Sequence, residues 1–471
     1  MKKILYALAI VCCFSMQSCS DWFDVKPKRL TEEEDLFSQE NGFKEALTGA
    51  YMKASNSGLY GTNLTFGFLD ILAQRYSPKN VNYQRAEYYT FSADNTVTAN
   101  TVATIWADGY NLVANLNNLL HWTEKNKSVF HTPGYYQIVK GEALALRSYI
   151  YFDLLRLYGP VYKLNPTGRS ILYRTEFNRD IADLEPADRM LGYIIDDLLE
   201  AHDLLKDVDN LNFAISNTDS DDEFLVYRYC RMNLMAVKGL LARAYLYKGD
   251  KTLAAQYAGE VIESGKFKLT SSVKITRNET VNEMIFGLNV DNSKELSNLL
   301  AENPASNYGI GDSNFFAEEF NTMSDGLNDI RVKDGSGFKE ESSVYISLKY
   351  DQEEVADHMK NMIPLIRLPE MYYILAECTG DLKEATELVS EVRVMRGLEE
   401  AELYDNDAER LAALELEYRK EFFGEGQLWH FYKRHMFSTF IHCPIDEMLQ
   451  ANYVFNLPND EYTFGGISSD K

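Results

Sequence analysis

The chain has 471 residues, 45% of them hydrophobic and 25% charged, enough to bury a full core and fold as a soluble body. Its formal net charge of −24 repels phosphate backbones and argues against nucleic acid as a partner. Past the first twenty residues no stretch has the roughly 20 apolar positions a membrane helix needs, so any membrane attachment depends on lipid.

Lys2 and Lys3 precede an apolar run from Ile4 to Phe14, which is too short to span a bilayer and has the pattern of a secretory leader over residues 1–18. Ser15-Met16-Gln17-Ser18 then leads to Cys19. A small residue before a cysteine is what a lipoprotein signal peptidase cuts, which makes Cys19 the expected lipidation site. The alternative is an ordinary secretory cleavage that leaves Cys19 free. Cys12 and Cys13 leave with the leader. Cys230, Cys378 and Cys443 remain, spaced too widely for a disulfide framework or a zinc site.

The body reads as mostly helical. Ala143, Leu146, Ile150, Leu154 and Leu157 recur at three- and four-residue steps, and Gly159-Pro160 stops that helix. Leu234, Val237, Leu241 and Ala244 form a second stripe, and Leu253, Tyr257 and Val261 a third. Gly249-Asp250 and Gly380-Asp381 each follow a small-residue helix, and Ala254 and Ala385 stand four residues beyond the aspartates. That is the grammar of tetratricopeptide helix pairs, with glycine ending the first helix and alanine packing in the turn. The expected fold is mostly α, with tetratricopeptide-like pairs scaffolding long inserted loops over 56–100 and 290–345. A shorter polar insertion covers 210–223.

Charged residues on the C-terminal helices are expected to pair with one another. Arg367 and Glu370 are three apart and share a face, and Arg419 and Lys420 lie within reach of Glu417, Glu421 and Glu425. A structural lattice is the favoured reading, with an active site as the alternative.

Several stretches, in chain order, resemble the SusD/RagB family. They are Asp21-Trp22-Phe23-Asp24-Val25-Lys26-Pro27; Trp106 through Tyr110 to Asn115; Gly141-Glu142-Ala143 through Arg147 to Tyr158-Gly159; and Asp329-Ile330-Arg331. Further on come Pro364 through Arg367 and Glu370 to Glu377, then Glu417 through Arg419 and Glu421 to Glu425-Gly426-Gln427, and lastly Phe455 through Pro458 to Glu461. Leu428, His430-Phe431 and Pro369 depart from the usual pattern. The resemblance spans an N-terminal region over 19–225 and a C-terminal region over 226–471, read as one intertwined unit. The acidic residues after Cys19 resemble a surface-export tag of Bacteroidetes lipoproteins.

The resemblance implies a non-enzymatic, lipid-anchored outer-membrane protein facing the cell exterior. It would hold an oligosaccharide or other small nutrient for a TonB-dependent, SusC-like porin, with no cofactor. A peptide-binding member and a surface-anchored hydrolase are the alternatives. Glycan capture needs aromatic faces against sugar rings with amides and charges for the hydroxyls. Polar-aromatic clustering nominates Arg75, Tyr76 and Tyr83 in the first insertion and Asn307, Tyr308 and Phe315 in the second. Loop packing competes with ligand contact at each. Alanine at Tyr76 or Tyr308 is expected to weaken binding without unfolding the chain. Trp106 belongs to a helix pattern and reads as core. No zinc-protease motif, nucleophile elbow or phosphate loop occurs: His430 and His435 are five apart. Asp219 to Glu223 lacks the glycine and spacing of a calcium loop, so no metal site is nominated.

Overall fold

The computed structural model describes residues 28–77, 96–178, 180–209, 223–274, 280–290, 308–325, 328–351 and 360–467. Cys19, Tyr83, Asn307 and the acidic run at 219–222 lie outside them.

The N-terminal part is helical: α1 (Lys28–Leu36), α2 (Glu40–Ala54), the short α3 (Phe68–Leu72), the thirty-residue α4 (Thr96–Lys125) and α5 (Tyr135–Tyr158). Strands β1 (Arg169–Leu172) and β2 (Leu184–Pro186) form a small antiparallel pair before α6 (Ala187–Leu205). The sequence places the end of α5 correctly. Tyr158 is its last residue, and Gly159 turns extended ahead of Pro160. α4, α5 and α6 pack side by side, and Arg147 of α5 ties the three together. Its guanidinium grips the Asp197 carboxylate of α6 at 2.9 Å through two nitrogens and donates to Asn117 Oδ1 of α4 at 2.8 Å. Such a fork fixes relative rotation as well as distance.

α7 (Leu234–Lys248) and α8 (Lys251–Glu263) form the first hairpin read from the sequence. Gly249 adopts φ +88° beyond α7, and the Asp250 carboxylate accepts from Leu253 N–H at 3.1 Å, capping α8. After β3 (Met284–Asn289), α9 (Ser313–Phe320), α10 (Thr322–Asp325), the hairpin β4 (Phe338–Glu341)–β5 (Val344–Ser347) and β6 (Met362–Arg367), the second hairpin joins α11 (Leu368–Cys378) to α12 (Leu382–Met395). Asp381 caps α12 by accepting from Lys383 N–H at 2.9 Å. Gly380, however, takes no left-handed φ. α11 ends at Cys378, with Thr379 already extended. Ala254 and Ala385 are fully buried in their turns. α13 (Asp407–Glu421), α14 (Gln427–His435) and α15 (Asn459–Thr463) complete the chain. Among the described residues no helix is long and apolar enough to cross a membrane.

The described parts of the insertions are more structured than expected. Residues 57–67 are tight turns with Leu59, Tyr60, Leu64 and Phe66 in the core, and the second insertion contains α9 and the β4–β5 hairpin. Trp106 is buried as read, and its indole N–H donates to Glu461 Oε1 at 2.8 Å.

Charge pairing in the C-terminal half is extensive, and many of the partners are distant in sequence. β3 and β6 pair antiparallel, and Arg367 at the end of β6 donates to Glu421 Oε1 at 2.7 Å and to Glu425 Oε1 at 2.7 Å. Arg396 bridges Glu283 and Glu421 at 2.9 and 2.8 Å. Arg331 holds Asp329 at 2.9 Å and Glu417 at 2.6 Å. The Arg367 and Glu370 side chains do not meet each other. Glu370 is held by Arg243 of α7 through both oxygens at 2.6 Å. Lys420 pairs with Asp329 at 3.2 Å, and Arg419 with Glu415 at 3.4 Å. These lattice charges are tolerated at such depth because each has an opposite partner and further hydrogen bonds.

Candidate functional site

The two insertions meet. Ser77, where the described part of the first ends, donates its N–H to the Gly309 carbonyl of the second at 3.4 Å. Next to this contact the Tyr76 and Tyr308 rings stand edge to face at 5.4 Å, and Tyr308 also meets Phe66 at 5.3 Å and 89°. Ile310 continues the junction by exchanging backbone hydrogen bonds with Tyr345 of β5 at 3.0 and 2.8 Å. Phe316 stacks on Tyr345 at 4.2 Å and 16°.

Beneath lies a second apolar core, separate from the main one, built from Tyr76, Ile310, Phe315, Phe316, Phe320, Val332, Phe338 and Phe423. Edge-to-face and offset contacts of this kind add to simple burial. The four described candidates from the sequence all gather here, but their exposure divides them.

Arg75, expected to face a ligand, is 0% exposed. Its guanidinium pairs with Glu319 and donates to the Arg419 carbonyl, with Phe423 at 4.9 Å and Phe320 at 5.6 Å on its faces. Burial pulls its ionisation down to about 10 against the support of Asp70. Its charge is used inside the fold, because the residues that need it lie more than two hundred positions away. Tyr76 is likewise buried, and its hydroxyl donates to the Phe66 carbonyl at 2.6 Å. Alanine there would open a cavity and destabilise the fold as well as remove a candidate ligand contact. Phe315 is 9% exposed and stacks on His442 at 3.6 Å and 11°. Tyr308 alone of the four is half-buried and keeps open surface.

Asp70 anchors the floor of this region. Its carboxylate accepts from the backbone N–H groups of Gly424 at 2.6 Å and Gly426 at 3.1 Å. Burial pushes it up to about 6, opposed by Arg75 and those two amides. Both glycines need their left-handed φ, +80° and +70°, and a Cβ on Gly426 would lie 2.3 Å from the Leu64 carbonyl oxygen. The Glu425-Gly426-Gln427 turn is thereby locked below the aromatic cluster.

At its other end, the second insertion leaves the described structure just past Asn289, on the rim of a cleft of about 600 Å³. Tyr51, Met52, Asn56, Ser57, Arg231 and Asn289 are among its lining residues. The volume falls in the range of small-molecule sites. Tyr51 donates its hydroxyl to Glu142 at 2.8 Å, and Arg231 Nε donates to the same carboxylate at 2.8 Å. Burial raises Glu142, but Arg228 and Arg231 outweigh it and hold the group below its ordinary value. The rim therefore offers an aromatic ring, amides and hydroxyls over a rigid ionic base. Sequence reading missed it, because Tyr51 and Arg231 come from elements about 180 positions apart. Among the described residues no His, Cys, Asp and Glu side chains cluster to hold a metal.

A family model described as starch-binding and associating with the outer membrane (SusD-like) matches residues 21–246, and a SusD family model matches residues 316–464. The SusD-like protein P38 of Formosa agariphila is 23% identical over 276 residues, which are 57% of this chain and 47% of that protein. The match thus spans about half the length of that curated relative. Among solved structures, a SusD superfamily protein from Bacteroides vulgatus superposes with a TM-score of 0.71 at 16% identity, covering 91% of this chain and 97% of the other. A SusD-like carbohydrate binding protein from the same species gives 0.68 at 16% identity, covering 92% and 98%. These structures share the fold described above, and the two family matches fall on the N-terminal helices and on the C-terminal charge lattice. The chain belongs to the SusD/RagB family.

Proposed function

We propose that this protein is a surface-exposed, lipid-anchored glycan-binding subunit that serves a TonB-dependent outer-membrane porin. The observation that carries the reading is the junction of the two insertions at Ser77 and Gly309, beside the half-buried ring of Tyr308. Sugars present C–H faces to aromatic rings and hydroxyls to amides. A junction fed by two polar, tyrosine- and asparagine-bearing segments supplies both. Tyr308 is the proposed stacking ring, and Tyr83 and Asn307, outside the described residues, are proposed as ligand contacts from the sequence alone. Arg75, Tyr76 and Phe315 hold that surface from beneath. The matching family, described as starch-binding and associating with the outer membrane, supports the ligand class and the location.

Anchoring follows from Cys19, since several acyl chains suffice for stable attachment without a membrane helix. The chain binds and does not break bonds in this reading. Screening the purified protein on a glycan array that includes malto-oligosaccharides tests the ligand class. Release of reducing ends from a bound polysaccharide would replace the binder with a hydrolase. Detergent extracts in which the protein never co-purifies with a larger barrel protein would remove the importer role.

A further inference from the structure

α14 carries His430, Lys433 and Arg434 into the interior, against α5 and α7. Lys433 lies outside the wall of a small cavity of about 30 Å³ at this contact, a wall that includes Arg156, Tyr247 and His430. That is more than the roughly 10–15 Å³ that one water-sized particle requires. All three residues are at most 7% exposed. Each also brings one buried polar atom with no hydrogen-bond partner among the described residues: Arg156 Nε, the Tyr247 hydroxyl and His430 Nδ1. Buried polar atoms are almost always satisfied, so three orphans around one cavity indicate an occupant.

The charge balance indicates its sign. Three cations here have carboxylate partners: Arg156 with Asp153, Arg243 with Glu370, and Arg434 with Glu377. Among the described residues Lys433 has none, and there its buried ammonium donates only to the carbonyls of Leu157 at 3.2 Å and Gly159 at 2.8 Å. Burial and Arg156 push its ionisation well down, and burial, Arg156 and Lys433 do the same to His430. The one carboxylate in the cavity wall, Glu370, has both oxygens taken by Arg243 at 2.6 Å. Asp153, which also accepts from Tyr60 at 2.7 Å, stays 4.0 Å from His430 Nε2. With Lys433 charged, the described residues of the region hold one cation more than their carboxylates balance.

We propose that this cavity is a binding site for one small monovalent anion of chloride size. Arg156 Nε–H, the Tyr247 hydroxyl and the Nδ1–H tautomer of His430 are its three donors. A water molecule would satisfy the polar atoms and leave the excess charge uncompensated, whereas an anion does both. The site is structural. It locks α14 against α5 and α7 and makes the protein's stability depend on halide.

Crystals of the unaltered protein soaked in sodium bromide, with data collected at the bromine edge, test this directly. An anomalous peak within hydrogen-bonding reach of Arg156, Tyr247 and His430 is expected. In solution, the melting temperature should rise with chloride at constant ionic strength when chloride replaces gluconate. In Tyr247→Phe, which keeps the ring and loses one donor, the chloride concentration for half the rise should increase about five-fold or more. A cavity without bromide, or melting of the unaltered protein that ignores the chloride–gluconate exchange, overturns the proposal.

Discussion

Glu421→Gln probes the charge lattice at its most connected point. Glu421 is 3% exposed and accepts from Arg367 Nη1 at 2.7 Å, from Arg396 at 2.8 and 3.0 Å and from Arg331 at 3.3 Å. Glutamine keeps the shape, but it removes the charge facing three guanidinium groups and turns one acceptor into an NH2 that opposes their N–H donors. Breaking a buried pair from one side costs about 3–5 kcal/mol, a large share of the roughly 5–15 kcal/mol that holds a typical protein folded. Urea unfolding at pH 7, followed by far-ultraviolet circular dichroism, should show a loss of that size. The exposed pair Lys383–Glu387, at 3.3 Å with 75% and 64% exposure, is the control. Glu387→Gln should cost less than about 0.5 kcal/mol. The pH dependence follows from the same contacts. Burial alone would raise Glu421, but Arg396 and Arg367 outweigh it and hold it well below the ordinary value. A depressed carboxyl stabilises the fold above its unfolded pKa, about 4.3, and that stability is lost as pH falls toward the folded value. The gap between the parent and Glu421→Gln should therefore be full at pH 7 and shrink as the pH drops below about 4. A loss under about 1 kcal/mol at pH 7, or a gap that widens on acidification, would refute the lattice as described.

The remaining predictions concern packing and backbone. Tyr76→Phe should cost about 1 kcal/mol for the lost bond to the Phe66 carbonyl, and Tyr76→Ala about 3–5 kcal/mol for the emptied core site. Both are read by urea midpoints, and equal costs would contradict the packing of that ring. Gly426→Ala should destabilise clearly more than Gly249→Ala. Both residues have left-handed φ, which costs an alanine about 1–2 kcal/mol. Only at Gly426 does the added Cβ meet a carbonyl oxygen at 2.3 Å, whereas nothing lies within 4 Å at Gly249. Paired thermal melts compare the two.

What was legible in the sequence is local. The apolar stripe from Ala143 to Leu157, the stop at Gly159-Pro160 and the buried alanines Ala254 and Ala385 depend on neighbours within a few residues, and they appear as read. The partners of charged side chains are not local. Arg367 and Glu370 share a helical spacing, yet Arg367 sits at the end of a strand and reaches Glu421 and Glu425, while Glu370 finds Arg243, 127 residues away. Periodicity carries no information about that distance. Arg75 and Tyr76 failed as surface candidates for the same reason, since a polar-aromatic stretch looks alike whether it faces solvent or packs on Phe320 and Phe423. The sequence did nominate residues from both insertions, and the structure brings their described members to one place. It had no means of pairing Tyr51 with Arg231 across the cleft.

Calorimetric titration of the best glycan from an array, against the parent protein and Tyr308→Ala, tests the central claim most directly. The account predicts saturable binding by the parent, at least ten-fold weaker binding by Tyr308→Ala and a variant that still folds and melts cooperatively. Equal affinity in the two proteins, or no glycan bound by the parent, would contradict it.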